Sequence, residues 1–370
     1  MKLSAFGVKS LLFCFFIWTG SYVMAQETAA DNAPAGENAK KKKDKDGDDS
    51  TSKKIKLFKD TEPLQMSITA DIRKMLAEKK DTVFQRAIVK INLPDSTIAE
   101  DTIEMRARGN FRRDFCYFPS VMLNFKKQNV KTRTSSLGKI KMVCTCKTGS
   151  DYEQLVLKEY LCYRIFNLIT DKSFKVRLTK VNFIDSENKR KPFAYYGFLI
   201  EDVDDMAKRN DCKEYEVKNL HTELTDRSFM TLVSIFQYMI GNLDWSVPAG
   251  HNVKLILTRD SGFARPYAIP YDFDYSGLVN APYAIPPENL GTASVTDRLY
   301  RGFPRQMAEI EPVVKIFRDK KDEIYALINN FQPLTKKEKN GMIRYLDEFY
   351  QTISDTRGIK TAFIDNAREN

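Results

Sequence analysis

The sequence predicts an α+β chain in two lobes, the first rich in strands with one main helix and the second mostly helical. Two patterns carry this reading. Between residues 64 and 200 apolar side chains recur mostly at every second position, as in half-buried strands, with one long helical interval at residues 151–170. Beyond residue 226 they recur mostly every three to four. The break between the lobes falls near residues 201–205.

Residues 1–25 read as a signal peptide. Lys2 and Lys9 supply positive charge, residues 11–18 are apolar, and Val23-Met24-Ala25 forms a cleavage site with the cut after Ala25. The apolar run is too short to span a bilayer, and no other stretch reaches the roughly 18 apolar residues that a span needs. The expected location is therefore periplasmic or secreted, with no stable membrane span after cleavage. Residues 26–56 carry Ala, Asn, Gly, Asp, Ser and Lys with almost no large apolar side chain, and are expected to be a disordered charged linker.

Residues 57–201 form the expected first lobe and residues 202–370 the second. Strands are expected at 64–68, 85–93, 102–108, 121–125, 140–143, 176–184 and 195–200, and residues 70–79 read as a short helix or a turn. The helix at 151–170 has Leu157, Leu161, Ile165 and Leu168 on one face. A second helix over 226–240 lines up Phe229, Leu232, Val233, Phe236 and Ile240, with Thr225 as its cap and Gly241 as its stop. Short strands follow at 253–257 and 267–269, then helices at 312–330 and 335–352.

The formal charge is +10. Lys2 and Lys9 leave with the leader, so the remainder carries +8. Positive residues are interleaved with acids, which suits an anionic ligand and argues against a nucleic-acid surface. Five cysteines remain after cleavage: Cys116, Cys144, Cys146, Cys162 and Cys212. An exported chain can oxidise them, and Cys116 with Cys144 or Cys146 is the favoured pair because both flank adjacent predicted strands. A zinc site is disfavoured by two histidines in all and no second cysteine pair at ligand spacing.

Four segments could carry chemistry. Arg106-Ala-Arg108-Gly109-Asn110-Phe-Arg112-Arg113 reads as a hairpin turn ringed by arginines, fit for phosphate oxygens or simply solvated. Gly241-Asn242-Leu243-Asp244-Trp245 follows a helix, and His251-Asn252 lies in a short loop. Tyr271-Asp272-Phe273-Asp274 sets aspartates among aromatics, where a carboxylate needs a cation or several donors. Asp244, Asn252 and Asp272 either supply a base and two oxygen ligands for a hard divalent ion or serve as turn and cap residues.

In this order the segments, with Lys141 in Ile-Lys-Met-Val and Glu159 on the helix between them, resemble the CotH (spore coat protein H) family of atypical protein kinases, in an exported bacterial form. The resemblance runs from about residue 64 to 290. It implies a bilobal, atypical protein-kinase-like fold, with the first lobe a nucleotide-covering sheet plus helix and the second carrying the catalytic and metal-binding loops. It implies ATP with Mg²⁺ or Mn²⁺, and transfer of phosphate to Ser or Thr of another exported protein. Asp244 would be the catalytic aspartate, and Asn252 and Asp272 the metal ligands. Arg108, Gly109 and Asn110 would cover the nucleotide, Lys141 oriented by Glu159 would hold its phosphates, and Glu201 would sit at the interlobe hinge. Lys126, Lys127 and Lys139 compete with Lys141, and no Gly-x-Gly-x-x-Gly loop is present. The alternatives are a catalytically inactive pseudokinase scaffold at the cell envelope and a carboxylate-based glycan hydrolase using Asp244 and Asp272.

Overall fold

The computed structural model describes residues 55–79, 83–125, 133–134, 137–259, 262 and 264–368. The leader and nearly all of the linker expected from the sequence lie outside these residues.

Seven strands form a closed barrel: β1 (Leu64–Ala70), β2 (Gln85–Asn92), β3 (Ile98–Ala107), β4 (Val121–Phe125), β5 (Gly138–Val143), β6 (Val176–Asp185) and β7 (Phe193–Ile200). Their order around the barrel is β1-β2-β3-β4-β5-β7-β6. Every pairing is antiparallel except β1 with β6, which runs parallel from Leu64↔Thr179 to Ala70↔Asp185 and closes the ring. Alternation drives the closure. On β1 the side chains of Leu64, Met66, Ile68 and Ala70 point inward, where they meet Val89, Ile91, Met105, Leu123, Met142 and Phe183.

Helix α1 (Ile72–Glu78) follows β1, with Asp71 as its cap. Its Ile72 N–H donates to Asp185 Oδ1 at 3.0 Å across 113 residues of sequence, and this bond ties the closing strands together. Helix α2 (Asn110–Phe115) sits between β3 and β4. Helix α3 (Ser150–Ile169) is buried on nearly every side because one face meets the barrel and another the C-terminal helices. Its Tyr163 packs on Phe198 of β7, ring centroids 5.5 Å apart, and its Phe166 packs on Phe236 at 4.4 Å.

The remainder comprises α4 (Val203–Arg209), β8 (Cys212–Glu214), α5 (Arg227–Ile240), β9 (Val253–Thr258), β10 (Tyr267–Pro270), α6 (Met307–Asp319), α7 (Lys321–Asn329), α8 (Lys336–Thr352) and α9 (Thr356–Lys360). Strands β10-β9-β8 make a small antiparallel sheet.

The kinase-like bilobal expectation is corrected here. The strands form a closed barrel rather than an open covering sheet. Three helices, not one, lie in the first half, and α3 shares its core with the C-terminal helices. Periodicity reports which face of a strand is buried but not its partners, so the β1–β6 closure has no local signature. Three local readings also change. Gly109, at φ 86°, starts α2 instead of a hairpin turn. The α5 cap is Asp226, which accepts the Phe229 N–H at 2.8 Å, not Thr225. The expected helix at 312–330 is two helices, α6 and α7, and α6 starts earlier, at Met307. The cysteine expectation resolves as a Cys116–Cys146 disulfide, while Cys144, Cys162 and Cys212 are buried thiols.

Candidate functional site

The site is assembled from the turns that follow α5 and β10. Helix α5 stops at Gly241 in the left-handed region (φ 64°), where a Cβ would come within 2.0 Å of the Tyr345 hydroxyl. The chain then folds back on itself. Asn242 donates to Gln237 Oε1 at 3.0 Å and accepts the Asp244 N–H at 3.1 Å. Arg301 clamps the outer side through Leu243 and Trp245 carbonyls at 2.6 and 2.7 Å.

The Asp244 carboxylate is held from two sides. His251 Nε2 lies 2.7 Å from Oδ1, and Asn252 Nδ2 donates to Oδ2 at 3.0 Å and to the Asp244 carbonyl at 2.8 Å. Spending the amide nitrogen this way leaves Asn252 Oδ1 without a donor among the described residues. The Asn252 carbonyl in turn accepts the Tyr271 N–H at 3.0 Å, which sets the β10 turn beside it.

Asp272 comes next, with its N–H donated to the Tyr163 hydroxyl at 2.8 Å. Asn252 (φ 52°) and Asp272 (φ 63°) both occupy the left-handed region, a strain that clusters at functional sites. No side chain among the described residues hydrogen-bonds the Asp272 carboxylate. Burial is the main cause that raises it to about 6, with Asp274 adding to the shift, while Arg112 and Arg108 oppose it.

Arg112 of α2 fills the floor. It donates to Glu159 Oε2 at 2.6 Å and through Nε to Asp274 Oδ2 at 3.1 Å, and the Tyr283 hydroxyl donates to the same Asp274 oxygen at 3.2 Å. Burial pushes the Glu159 carboxyl upward against the pull of Arg112, and its Oε1 has no hydrogen-bond partner.

Arg108, Gly109, Asp244, Asn252 and Asp272 therefore line one cleft of about 460 Å³, together with Arg112, His251 and Asp274. Asn110 begins α2. Lys141 on β5 stands nearby, its Nζ 5.2 Å from the Tyr271 ring centre. Burial first, then the charges of Arg108 and Lys254, lower it to about 8. Glu159 is not joined to Lys141, because Arg112 takes it. Glu201 lies apart, lining a separate cavity with Lys175 and Asp202 and held by Arg209 at 2.8 Å. Lys139 is exposed on β5, and Lys126 and Lys127 lie outside the described residues.

Arg112 is the central residue that sequence reasoning left without a role. It stood in view as one of four clustered arginines, but its partners are 47 and 162 residues away, and nothing local singles it out. Among the described residues no three His, Cys, Asp or Glu side chains converge as a metal-binding group. The two ligands expected from the sequence, Asn252 and Asp272, both line the cleft. Among the described residues no helix is long and apolar enough to cross a membrane.

No protein-family model and no curated protein matches the chain. Among solved structures it is similar to a Helicobacter pylori proinflammatory kinase, CtkA. The similarity covers 69% of this chain and 95% of that one at 12% identity, with a TM-score of 0.36.

Proposed function

We propose that the cleft is a phosphotransfer site of the CotH type, taking ATP as donor and a Ser or Thr hydroxyl of another exported protein as acceptor. One observation carries the reading. A carboxylate without a side-chain partner, Asp272, and a free amide oxygen, on Asn252, are both held in strained backbone beside Asp244, in a cleft edged by Arg108. That donor set fits Mg²⁺ or Mn²⁺, which take one or two protein oxygens and complete their shell with water and phosphate. When bound, such an ion supplies neutralisation of phosphate charge.

The chain's own part is positioning and proton handling. Asp244, oriented by His251 and Asn252, accepts the hydroxyl proton as the acceptor oxygen bonds to phosphorus and the bond to the departing diphosphate breaks. Arg108 and Lys141 offer positive charge to the phosphates. Export is supported by the Cys116–Cys146 disulfide, a bond that persists in oxidising compartments.

The test is the melting temperature of the chain with ATP, with metal, and with both, for the native protein and for Asp272→Ala. Saturation at ~100 times the dissociation constant stabilises by about 2.7 kcal/mol. A metal-dependent rise that Asp272→Ala abolishes is the expected result; no rise with either ion at millimolar ATP sinks the reading.

A specific contact favours a second reading, a nucleotide-binding scaffold without transfer. Glu159 is engaged by Arg112, and the Lys141 amine lies over Tyr271 instead of pairing with it. A thermal shift with no phosphate transfer to any hydroxyl would select this reading.

A further inference from the structure

A second cavity, of about 610 Å³, lies beside the disulfide. Its walls come from the segments after α2 and after β5, the first turn of α3, and the β6–β7 connection; Tyr117, Lys147, Glu153, Arg190, Lys191 and Phe193 line it. Cys116–Cys146 fastens the first two walls together.

The cavity carries an excess of positive charge, three cations against one carboxylate. Lys147 Nζ rests over the Phe115 and Tyr152 rings, 4.3 and 5.4 Å from their centres, and the Arg190 guanidinium lies 5.7 Å from the Tyr117 ring centre. Arg190 also donates to the Tyr117 hydroxyl. Among the described residues none of Lys147, Arg190 and Lys191 forms an ion pair with a carboxylate. Glu153, the one lining carboxylate, accepts the Tyr196 N–H at 2.6 Å through Oε1. Cations seated on aromatic faces keep N–H groups for a further anion.

The apolar surface beside it is equally unusual. Phe111, Phe115 and Tyr117 are 41%, 38% and 47% exposed, and they are all the exposed Phe, Tyr and Trp side chains among the described residues. Phe111 and Phe115 stack at 5.0 Å, Phe111 lines the Asp244 cleft, and Tyr117 lines the second cavity. One aromatic strip on and just after α2 thus connects the two. Clustered exposed aromatics mark an interaction surface.

We infer that this surface docks an acidic, aromatic-bearing segment of a polypeptide, whose carboxylates meet Lys147, Arg190 and Lys191 and whose rings lie on the α2 strip. A small organic anion would fill the cavity but leave the strip uncovered; an extended chain uses both and continues into the cleft. That this polypeptide is the phosphate acceptor rests on the phosphotransfer reading, whereas the docking does not.

Fluorescence anisotropy with a dye-labelled peptide of repeated Glu-Phe-Ser, without nucleotide, tests the docking on the full chain. Saturable binding is expected, weakened by added salt and reduced about tenfold or more, equivalent to about 1.4 kcal/mol, by Lys147→Glu with Arg190→Glu. Arg190→Lys should keep most of it, and the melting temperature of each variant reports folding. If the double variant does not fold, Arg190→Gln alone should still weaken binding. Equal binding of a Lys-Phe-Ser peptide, or binding indifferent to charge reversal, overturns the inference. In a separate assay with ATP and Mg²⁺, binding without phosphorylation of the peptide removes its role as phosphate acceptor but keeps the docking. Phosphorylation of acidic and basic peptides with equal KM does the opposite.

Discussion

Arg112 donates to Glu159 across 2.6 Å and so joins α2 to α3 at a point where the two side chains are only 10% and 1% exposed. The same guanidinium lies 2.9 Å from Asp274, so one cation serves two buried carboxylates drawn from α3 and the β10 turn. The floor of the cleft is thereby fixed relative to α3, a helix buried along most of its length.

Removing that cation leaves both carboxylates desolvated with no compensating charge. Arg112→Met should destabilise by about 3–5 kcal/mol. Adding Glu159→Gln should return part of the loss, since a neutral amide needs no counter-charge. Urea unfolding of the two single variants and the double variant measures the coupling. A cost for Arg112→Met below about 1 kcal/mol, the range of an exposed pair, would show that the buried network is not formed.

Lys141 gives a pH dependence of definite sign. Its site holds a proton less tightly than the ordinary 10.5, down to about 8, because burial and neighbouring cations disfavour the charge. Between these values the unfolded chain keeps the proton and the folded protein releases it, so stability rises with pH across that interval. Relative to Lys141→Met, the native protein should be at its weakest below pH 8 and should regain ground toward pH 10.5. Nucleotide affinity should move the other way, falling as pH passes about 8 and the ammonium is lost. Melting curves and ATP titrations over the same pH series measure both. A difference between variant and native protein that stays flat with pH would place the titration elsewhere.

Strands such as β1 and β3 were legible because they alternate over five or more residues, and α3 because its apolar face recurs from Leu157 to Leu168. Asp244, Asn252 and Asp272 were legible as carboxylate and amide groups stranded among aromatics and turns, and they do meet in one cleft. The barrel's closure was not legible, since it depends on β1 and β6 finding each other over a long separation. Nor was the exchange of Glu159 from Lys141 to Arg112, which depends on where α2 begins. Gly109-Asn110 has the composition of a tight hairpin turn, yet the chain uses Gly109 to enter a helix, and that one-turn difference aims Arg112 inward.

The β5–β7 pairing can be tested at one glycine. Gly197 on β7 faces the β5 backbone, and an added Cβ would stand 2.6 Å from the Val143 carbonyl oxygen. That oxygen belongs to the β5–β7 contact and cannot retreat without disturbing the ladder. Gly197→Ala should therefore cost about 1–3 kcal/mol. Gly341, inside α8 with nothing within 4 Å of an added Cβ, is the matched control. There the same change should stabilise by up to about 1 kcal/mol, the helix preference of alanine over glycine. Equal effects at both positions, read from urea midpoints, would mean that β7 does not lie against β5 in this register.

Asn252 separates backbone strain from side-chain function. At φ 52° an alanine pays the steric penalty of the left-handed region, while a glycine does not. Asn252→Ala should therefore melt lower than Asn252→Gly by about 1 kcal/mol of stability. Both lose the amide that donates to Asp244 and the Oδ1 proposed as a metal ligand. Both should lose the metal-dependent part of the ATP-induced thermal shift, although only the alanine variant is strained. If Asn252→Gly keeps the full metal-dependent shift, the amide oxygen is not a ligand, and its place is to orient Asp244 alone.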